Sequence, residues 1–317
     1  MIVIVNYKTA GLTVDCLESL AVQIDPSVDR VVAVDNCSED GSLEFIAKAL
    51  LEKGWSDWGV VEQAPGNDGF AAGNNFGIKL GGEKFGAFEY TLLLNPDTRV
   101  LDQGIRTLVD FMEQHREVGI AGSRLENPDG TPRCSAFRFA SIASEFERGA
   151  RLGIITRLLR HKVVAPEVRD EPHRAGWVAG ASMIVRQRVF DDIGLMDTAY
   201  FLYYEETDFC LLAHRAGWAC WYVPSSRVTH LVGQSTGVTG VKRTLKPLPG
   251  YWYESRRRYF RKNHGRVYAW LADLAWLSGH LIYRLKSLLL RTPREDPPNM
   301  LGGFLRYALL GKRGPAS

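Results

Sequence analysis

Short apolar runs alternate with stretches of helical spacing through the first 122 residues. Met1 to Val5 is an apolar run interrupted by Asn6-Tyr7-Lys8, and it reads as a buried first strand. It is too short for a signal-peptide core, so the sequence predicts no leader. A helix is expected over Thr13 to Val22, then a second strand over Val31 to Asp35. Ser38 to Gly41 reads as a turn, with Ser38 or Asp40 capping a helix over Leu43 to Lys53. Gly59 to Glu62 and Tyr90 to Leu94 read as strands, Ile105 to Gln114 as a helix and Gly119 to Gly122 as a further strand. Strand and helix in alternation predict βαβ units and a parallel sheet. Polar residues follow the strand ends at Asn6, Asp35, Asn67 and Asp97. Ligands of open α/β sheets bind at that edge.

The pattern then becomes less regular. Arg151 to Arg174 is basic, contains Pro166 and Pro172, and is expected to be a mobile loop. Val178 to Val185 predicts one strand, Arg188 to Ile193 a helix, Glu205 to Gly217 a helix and Ala219 to Val223 a strand. From Arg266 to Arg291, Val267, Trp270, Leu271, Leu274, Leu277, Leu281, Leu285 and Leu288 recur at helical spacing. Arg266, Asp273, His280, Arg284, Ser287 and Arg291 form a polar stripe. Charges interrupt this segment too often for a membrane span, which points to a helix lying in a membrane interface. The alternative is an amphipathic helix packed on the rest of the chain or on a second subunit, as in a homodimer. Phe304 to Leu310, before Lys312-Arg313, reads as a second short helix.

Charge sharpens that division. The 317 residues hold 39 Lys and Arg against 36 Asp and Glu, a net charge of +3. From Lys242 onward there are 16 basic residues against four acidic ones (Glu254, Asp273, Glu295, Asp296), leaving 23 against 32 before it. An acidic body with a basic tail favours a polyanion, either nucleic acid or an anionic membrane face. No nucleic-acid module is recognisable, so the membrane is preferred. The five cysteines are odd in number and form no CxxC, which argues against a zinc cluster or a disulfide framework and for a reducing cytoplasm. Length and composition suit an ordinary globular protein of one or two domains.

Four segments carry candidate chemistry. Asn95-Pro-Asp97-Thr98 follows a strand, where a carboxylate suits Mg²⁺ or Mn²⁺ together with substrate phosphates; a plain turn is the alternative. Asn67-Asp-Gly-Phe-Ala-Ala-Gly-Asn-Asn-Phe-Gly77 holds three glycines, which let backbone approach a ligand, and three asparagines, whose amides bond sugar hydroxyls or phosphates. Its alternative is a capped helix N-terminus. Tyr203-Tyr-Glu-Glu-Thr-Asp208 crowds three carboxylates, which raises pKa values; one serves as a general base and Asp208 caps the next helix, unless the segment is a solvated helix start. His230 is a candidate ligand for a transition ion, or a structural histidine.

Taken together, these segments resemble the family 2 glycosyltransferases of the GT-A fold, over roughly residues 1 to 265. The matching motifs are Ile4-Val-Asn6-Tyr7, Val34-Asp-Asn36, the Asn67–Gly77 segment, Leu94-Asn-Pro-Asp97, Gly176-Trp-Val-Ala-Gly-Ala-Ser182, Tyr204-Glu-Glu-Thr-Asp208 and His230 with Gly233 and Ser235. Within that family the chain is most similar to bacterial rhamnosyltransferase-like enzymes of cell-surface glycan assembly. The resemblance implies an α/β fold with a mixed, mainly parallel, Rossmann-like sheet flanked by helices and a C-terminal amphipathic helical extension. It implies a catalytic domain over 1–240, with a nucleotide-binding half (1–122) and an acceptor half (123–240), followed by the basic helical region 241–317.

The implied activity is inverting, metal-assisted transfer of a sugar to a hydroxyl of a glycan or lipid-linked saccharide. The donor is a dTDP- or UDP-sugar, with dTDP-rhamnose preferred. Asp35, near Asn6 and Tyr7, is implied to bond the nucleotide base. Asn67, Gly69, Phe70, Asn74, Asn75 and Asn95 are implied to flank the nucleotide-sugar, and Trp177, Gly180, Ala181 and Ser182 to line the sugar and acceptor side. Asp97 and His230 are implied to hold Mg²⁺ or Mn²⁺. The base is Glu206, with Glu205 as rival and Asp208 in the same motif. Two positions depart from the family pattern: a Glu stands where Asp is common at 206, and Gly176 stands where an acidic residue is common. The expected location is the cytoplasm, peripheral on the inner face of the cell membrane. A non-catalytic nucleotide-sugar-binding protein and a hexosyl or galactofuranosyl transferase using a UDP-sugar are the alternatives. A nucleotidylyltransferase is disfavoured because Asn6 to Gly11 lacks its basic Gly-rich loop.

Overall fold

The computed structural model describes residues 1–231, 246–293 and 296–309. Gly233 and Ser235 lie outside the described residues, as does Leu310. The first half runs β1 (Ile2–Asn6), α1 (Ala10–Ala21), β2 (Val31–Asp35), α2 (Ser42–Glu52), β3 (Gly59–Gln63), α3 (Phe70–Phe85), β4 (Tyr90–Leu94), β5 (Thr98–Val100), α4 (Gly104–Gln114) and β6 (Val118–Glu126). Next come β7 (Pro132–Arg133), β8 (Ala136–Phe137), α5 (Ile142–Ala150), α6 (Gly153–Leu158), β9 (His173–Ala175), β10 (Trp177–Val178), β11 (Ser182–Arg186) and α7 (Gln187–Ile193). The rest is α8 (Glu205–Arg215), β12 (Ala219–His230), α9 (Gly250–Leu289), α10 (Met300–Gly303) and a π-helical turn, Phe304–Leu309.

Two compact units result. The first is Met1–Phe137, Glu167–Phe201 and Glu205–Thr239; the second is Arg138–Pro166, Leu202–Tyr204 and Gly240–Ser317.

The first unit is built on one mixed sheet in the order β3-β2-β1-β4-β11-β6-β12-β5. Strands β3, β2, β1 and β4 are parallel, while β11 runs antiparallel to both β4 and β6. The central strands are buried on both faces, which is why they read as unbroken apolar runs. Ile2, Ile4, Val31 and Ala33 pack with Leu17 and Leu20 of α1 and Ile46 of α2. The alternate residues Val3, Val5 and Val34 turn to the other face and meet α3.

Several expectations need correction. The Asn67–Gly77 segment follows the helical alternative, with Phe70–Phe85 a sixteen-residue helix, but Gly69 at its N-cap provides no side-chain cap. The single strand expected over Val178 to Val185 is two, β10 and β11, because the chain turns at Ala179 to Ala181 and β10 pairs with β8 instead. Ser38 caps nothing; Asp40 accepts from Ser42 N and Oγ at the start of α2, while Ser38 bonds Asp35. The stretch Arg151 to Arg174, expected as a mobile loop, includes α6 and reaches into β9, and Arg138 Nη1 donates to the Val163 carbonyl at 2.9 Å.

The second unit is helical. Gly265, at φ +84°, breaks α9 into arms over 250–264 and 266–289. A Cβ on Gly149 of α5 would lie 2.4 Å from the Trp276 carbonyl oxygen, and one on Gly279 would lie 2.3 Å from the Phe146 carbonyl oxygen. Reciprocal glycines therefore let α5 and α9 touch backbone to backbone. Arg256, fully buried, donates to Glu145 Oε2 from Nε at 2.9 Å and from Nη2 at 2.7 Å, and its Nη1 donates to Asp273. Trp276 stacks on Phe304 with ring centroids 4.0 Å apart. Among the described residues no helix is long and apolar enough to cross a membrane.

Candidate active site

Parallel pairing brings the strand ends together. Asn6 is in register with Asp35, and Ile4 with Leu94, so Asn6, Asp35 and Asn95–Asp97 leave the sheet at one edge. Asn6 is buried and its amide is fully engaged. Its Nδ2 donates to Asp35 Oδ1 at 2.7 Å, and its Oδ1 accepts from Thr9 N, Thr9 Oγ1 and Thr13 Oγ1 at 3.2, 3.1 and 3.0 Å. Asp35 also accepts from Ser38 Oγ at 2.6 Å and Ser38 N at 3.0 Å. Asn6 therefore acts as a strut that orients Asp35, with Tyr7 half-buried beside it. Thr9, Thr13 and Ser38 belong to this network, and nothing in their sequence pattern announces it.

The glycines of α3 face the sheet. Cβ atoms on Gly73 and Gly77 would come within 2.7 Å of Val5 Cγ1 and 2.5 Å of Val3 Cγ1. Spaced four apart, they form a flat stripe that seats the helix on β1 and β2. Gly69 differs: its φ is +93° and a Cβ would lie 1.8 Å from the Phe201 carbonyl oxygen, which accepts from Phe70 N at 3.0 Å. The asparagine amides also turn inward. Asn74 Nδ2 donates to the Phe70 carbonyl at 2.9 Å, and Asn75 both donates to Met196 O at 2.7 Å and accepts from Met196 N at 3.1 Å. Asn67 Oδ1 accepts from Asn36 Nδ2 at 2.8 Å. Close approach here is to the protein's own strands and backbone.

Asp97 and His230 meet. Antiparallel pairing sets His230 opposite Thr98, and Leu231 N donates to the Asp97 carbonyl at 2.9 Å. His230 Nε2 stands 3.2 Å from Asp97 Oδ1 and 3.4 Å from Asn95 Nδ2. Among the described residues no cluster of three or more His, Cys, Asp and Glu side chains could hold a metal ion. A carboxylate and an imidazole side by side nonetheless fit a divalent ion whose remaining ligands are phosphate oxygens and water, because such ions are often held by only one or two carboxylates.

The acidic motif opens α8. Glu205 is buried, Glu206 is half-buried, and Oε2 of each has no hydrogen-bond partner among the described residues. Burial lifts both carboxyls above the usual range. Glu205 is raised further, because the charge of Glu206 adds to its burial. Backbone N–H groups of Glu206 itself and Gly180 work the other way on Glu206. Asp208 does not cap the helix, which has already begun; it lies in the first turn and accepts from Tyr200 OH at 3.1 Å.

The 177–182 stretch links these groups. A Cβ on Gly180 would meet the Phe70 ring at 3.1 Å and Glu206 Cβ at 4.0 Å. The Ala181 carbonyl accepts from Asn95 N at 3.1 Å. Trp177 stacks on Phe137 at 4.1 Å, and Ser182 Oγ joins a buried chain with Ser123 and Ser226 at 2.7 and 2.8 Å. Phe70, Gly180 and Glu206 are thus neighbours, with Asn95 one residue removed through Ala181. Asn75 and Ser182 are bound into the scaffold.

The family profile described as "Glycosyl transferase family 2" matches residues 1–165. The chain belongs to this family. Its sheet and helices have the GT-A fold. GalNAc-T7 with UDP, GalNAc and Mn²⁺ superposes at a TM-score of 0.57 with 15% identity, over 91% of this chain and 56% of that one. The mannosyltransferase PcManGT of Pyrobaculum calidifontis with GDP-Man and Mn²⁺ superposes at 0.55 with 13% identity, over 98% and 80%. In sequence, this family 2 glycosyltransferase is 26% identical to the N-acetylglucosaminyl-diphospho-decaprenol L-rhamnosyltransferase of Mycobacterium tuberculosis over 251 residues, 74% of this chain and 77% of the relative. It is 28% identical to the low-salt glycan biosynthesis hexosyltransferase Agl10 of Haloferax volcanii (68% and 61%), and 25% identical to the dTDP-rhamnosyl transferase RfbF of Shigella flexneri (62% and 62%).

Proposed function

We propose that the chain transfers a sugar, with inversion, from a nucleoside-diphosphate donor to a hydroxyl of a glycan or lipid-linked saccharide. The observation that carries this reading is the adjacent pair of carboxyls at Glu205 and Glu206, each with Oε2 left without a hydrogen-bond partner among the described residues, beside Gly180 and in the unit that also sets Asp97 against His230. Carboxyls whose pKa burial raises, each with one oxygen left free, mark a candidate site for proton transfer. In the reaction, the acceptor oxygen forms a bond to the anomeric carbon while the bond to the diphosphate breaks. The hydroxyl proton passes to Glu206, which must be ionised to receive it. Attack opposite the leaving group inverts the centre. Asp35, held by Asn6 and Ser38, takes the nucleotide base with Tyr7; Trp177 and Gly180 line the sugar side. Asp97 and His230 would hold Mg²⁺ or Mn²⁺, which when bound neutralises charge on the departing diphosphate.

dTDP-rhamnose is the preferred donor, supported by the rhamnosyltransferase relatives of Mycobacterium tuberculosis and Shigella flexneri. A UDP-hexose donor is the second reading, favoured by the hexosyltransferase relative. A thermal-shift panel of nucleotide-sugars with Mn²⁺, followed by nucleotide release and NMR of the product anomer, tests both. Glu206→Gln is expected to lower kcat by about a hundred- to ten-thousand-fold while leaving the donor-induced shift in Tm intact. If Glu206→Gln turns over normally and Glu205→Gln does not, the base is Glu205. If donors bind and none is turned over, the protein is a non-catalytic binder. A chelator is expected to abolish turnover and Mn²⁺ to restore it.

A further inference from the structure

The 266–289 arm of α9 packs by the side that its sequence pattern would leave in water. Asp273, His280 and Ser287, three members of the polar stripe, are buried along with Gly279, which seats against α5. The reason is geometric: backbone contact at Gly149 and Gly279 needs small residues, and Asp273 is drawn in by Arg256. Leu277 packs against Tyr253, Trp276 and Phe304, but most of the apolar side is left outward. Val267, Trp270, Leu281, Leu285 and Leu288 are 74%, 57%, 52%, 57% and 75% exposed. By helical spacing, Arg266 and Arg284 border this face on one side and Lys286 on the other.

The charge of the unit selects the occupant. Its three segments contain 22 Lys and Arg against six Asp and Glu. A second copy meeting this face through a two-fold axis would bring two such rims together. An anionic bilayer instead neutralises the rim and takes the aliphatic stripe, with Trp270 suited to the headgroup level.

We propose that the outward face of residues 266–289 lies in the headgroup region of an anionic membrane, the chain resting on the bilayer without crossing it. This rests on the surface of the helical unit alone and stands whether or not the transferase reading does. The test is flotation of the full-length chain with vesicles of phosphatidylcholine and phosphatidylglycerol at 7:3, against phosphatidylcholine alone. Binding is expected to need the anionic lipid and to weaken as NaCl rises. Trp270→Glu/Leu281→Glu/Leu285→Glu is expected to abolish it with the helical circular dichroism and soluble-acceptor activity unchanged. Arg266→Gln/Arg284→Gln is expected to weaken it roughly 25-fold, about five-fold per charge. Equal binding by the folded triple variant, or no binding by the parent, overturns the proposal. So does a dimer in sedimentation velocity that the triple variant dissolves, which assigns the face to a second copy.

Discussion

Glu205 and Glu206 set the pH behaviour of this protein. Both folded-state pKa values lie above the unfolded value of about 4.3, so the fold favours the protonated acids. Their stabilising effect is complete below that value and is lost as pH rises through the folded pKa values. Glu205→Gln is therefore expected to raise Tm at pH 8 and leave it unchanged at pH 4; an equal rise at both would contradict the burial argument. The acid limb of kcat/KM is expected above the usual carboxylate range, since Glu206 must ionise to act. Gly69 is a second single-residue test. Its positive φ and the carbonyl of Phe201 exclude any side chain, so Gly69→Ala is expected to destabilise by about 1–3 kcal/mol in urea unfolding. At this scale the sequence was partly legible. Asp97 and His230 were named from residue type and position, and the fold brings them to 3.2 Å. The engagement of Asn6 with Thr9 and Thr13, and of Asn75 with Met196, was illegible, because amides that bond protein and amides that bond ligand are the same residue type.

The elements show where periodicity suffices. Buried parallel strands are apolar on both faces, so β1, β2 and β4 stand out within a residue of their bounds. The Asn67–Gly77 segment left a ligand-facing stretch and a helix start both open, because glycine depresses helix propensity. Packing against Val3 and Val5 overrode propensity, and only the sheet supplies those contacts. The tail helix was found, but its orientation could not be, since it depends on Gly149 and Glu145 far away in sequence. Glu145 shows what that partnership requires. Burial alone would raise its pKa, but Arg148 and Arg256 outweigh it and hold the carboxyl below the ordinary range. Its contribution is therefore present above about pH 4.3 and lost as pH falls through the folded pKa. Arg256→Leu leaves the buried Glu145 and Asp273 without their shared cation and is expected to cost about 3–5 kcal/mol, read from the urea midpoint.

Over the whole molecule, tertiary structure redistributes charge that composition hides. Division of the sequence at Lys242 gives a body at −9 and a tail at +12. Residues 138–166 join the tail in one compact unit, and the contrast becomes −13 against +16. At pH 8.5, near the sequence pI, the chain is therefore expected to bind both cation and anion exchangers at low salt; passage through both would show the charges to be dispersed. The sequence by itself determined the parallel strands of the first half, the family, the carboxylates at the strand ends and the acidic run that opens α8, because backbone periodicity and motif chemistry are local. Tertiary structure alone decided which amides face inward, that the glycines of α3 serve the sheet, that burial raises both Glu205 and Glu206, and that the tail helix turns most of its apolar side outward. Each of those depends on burial and on partners distant in the chain, and a pairwise contact has no signature in either residue taken alone.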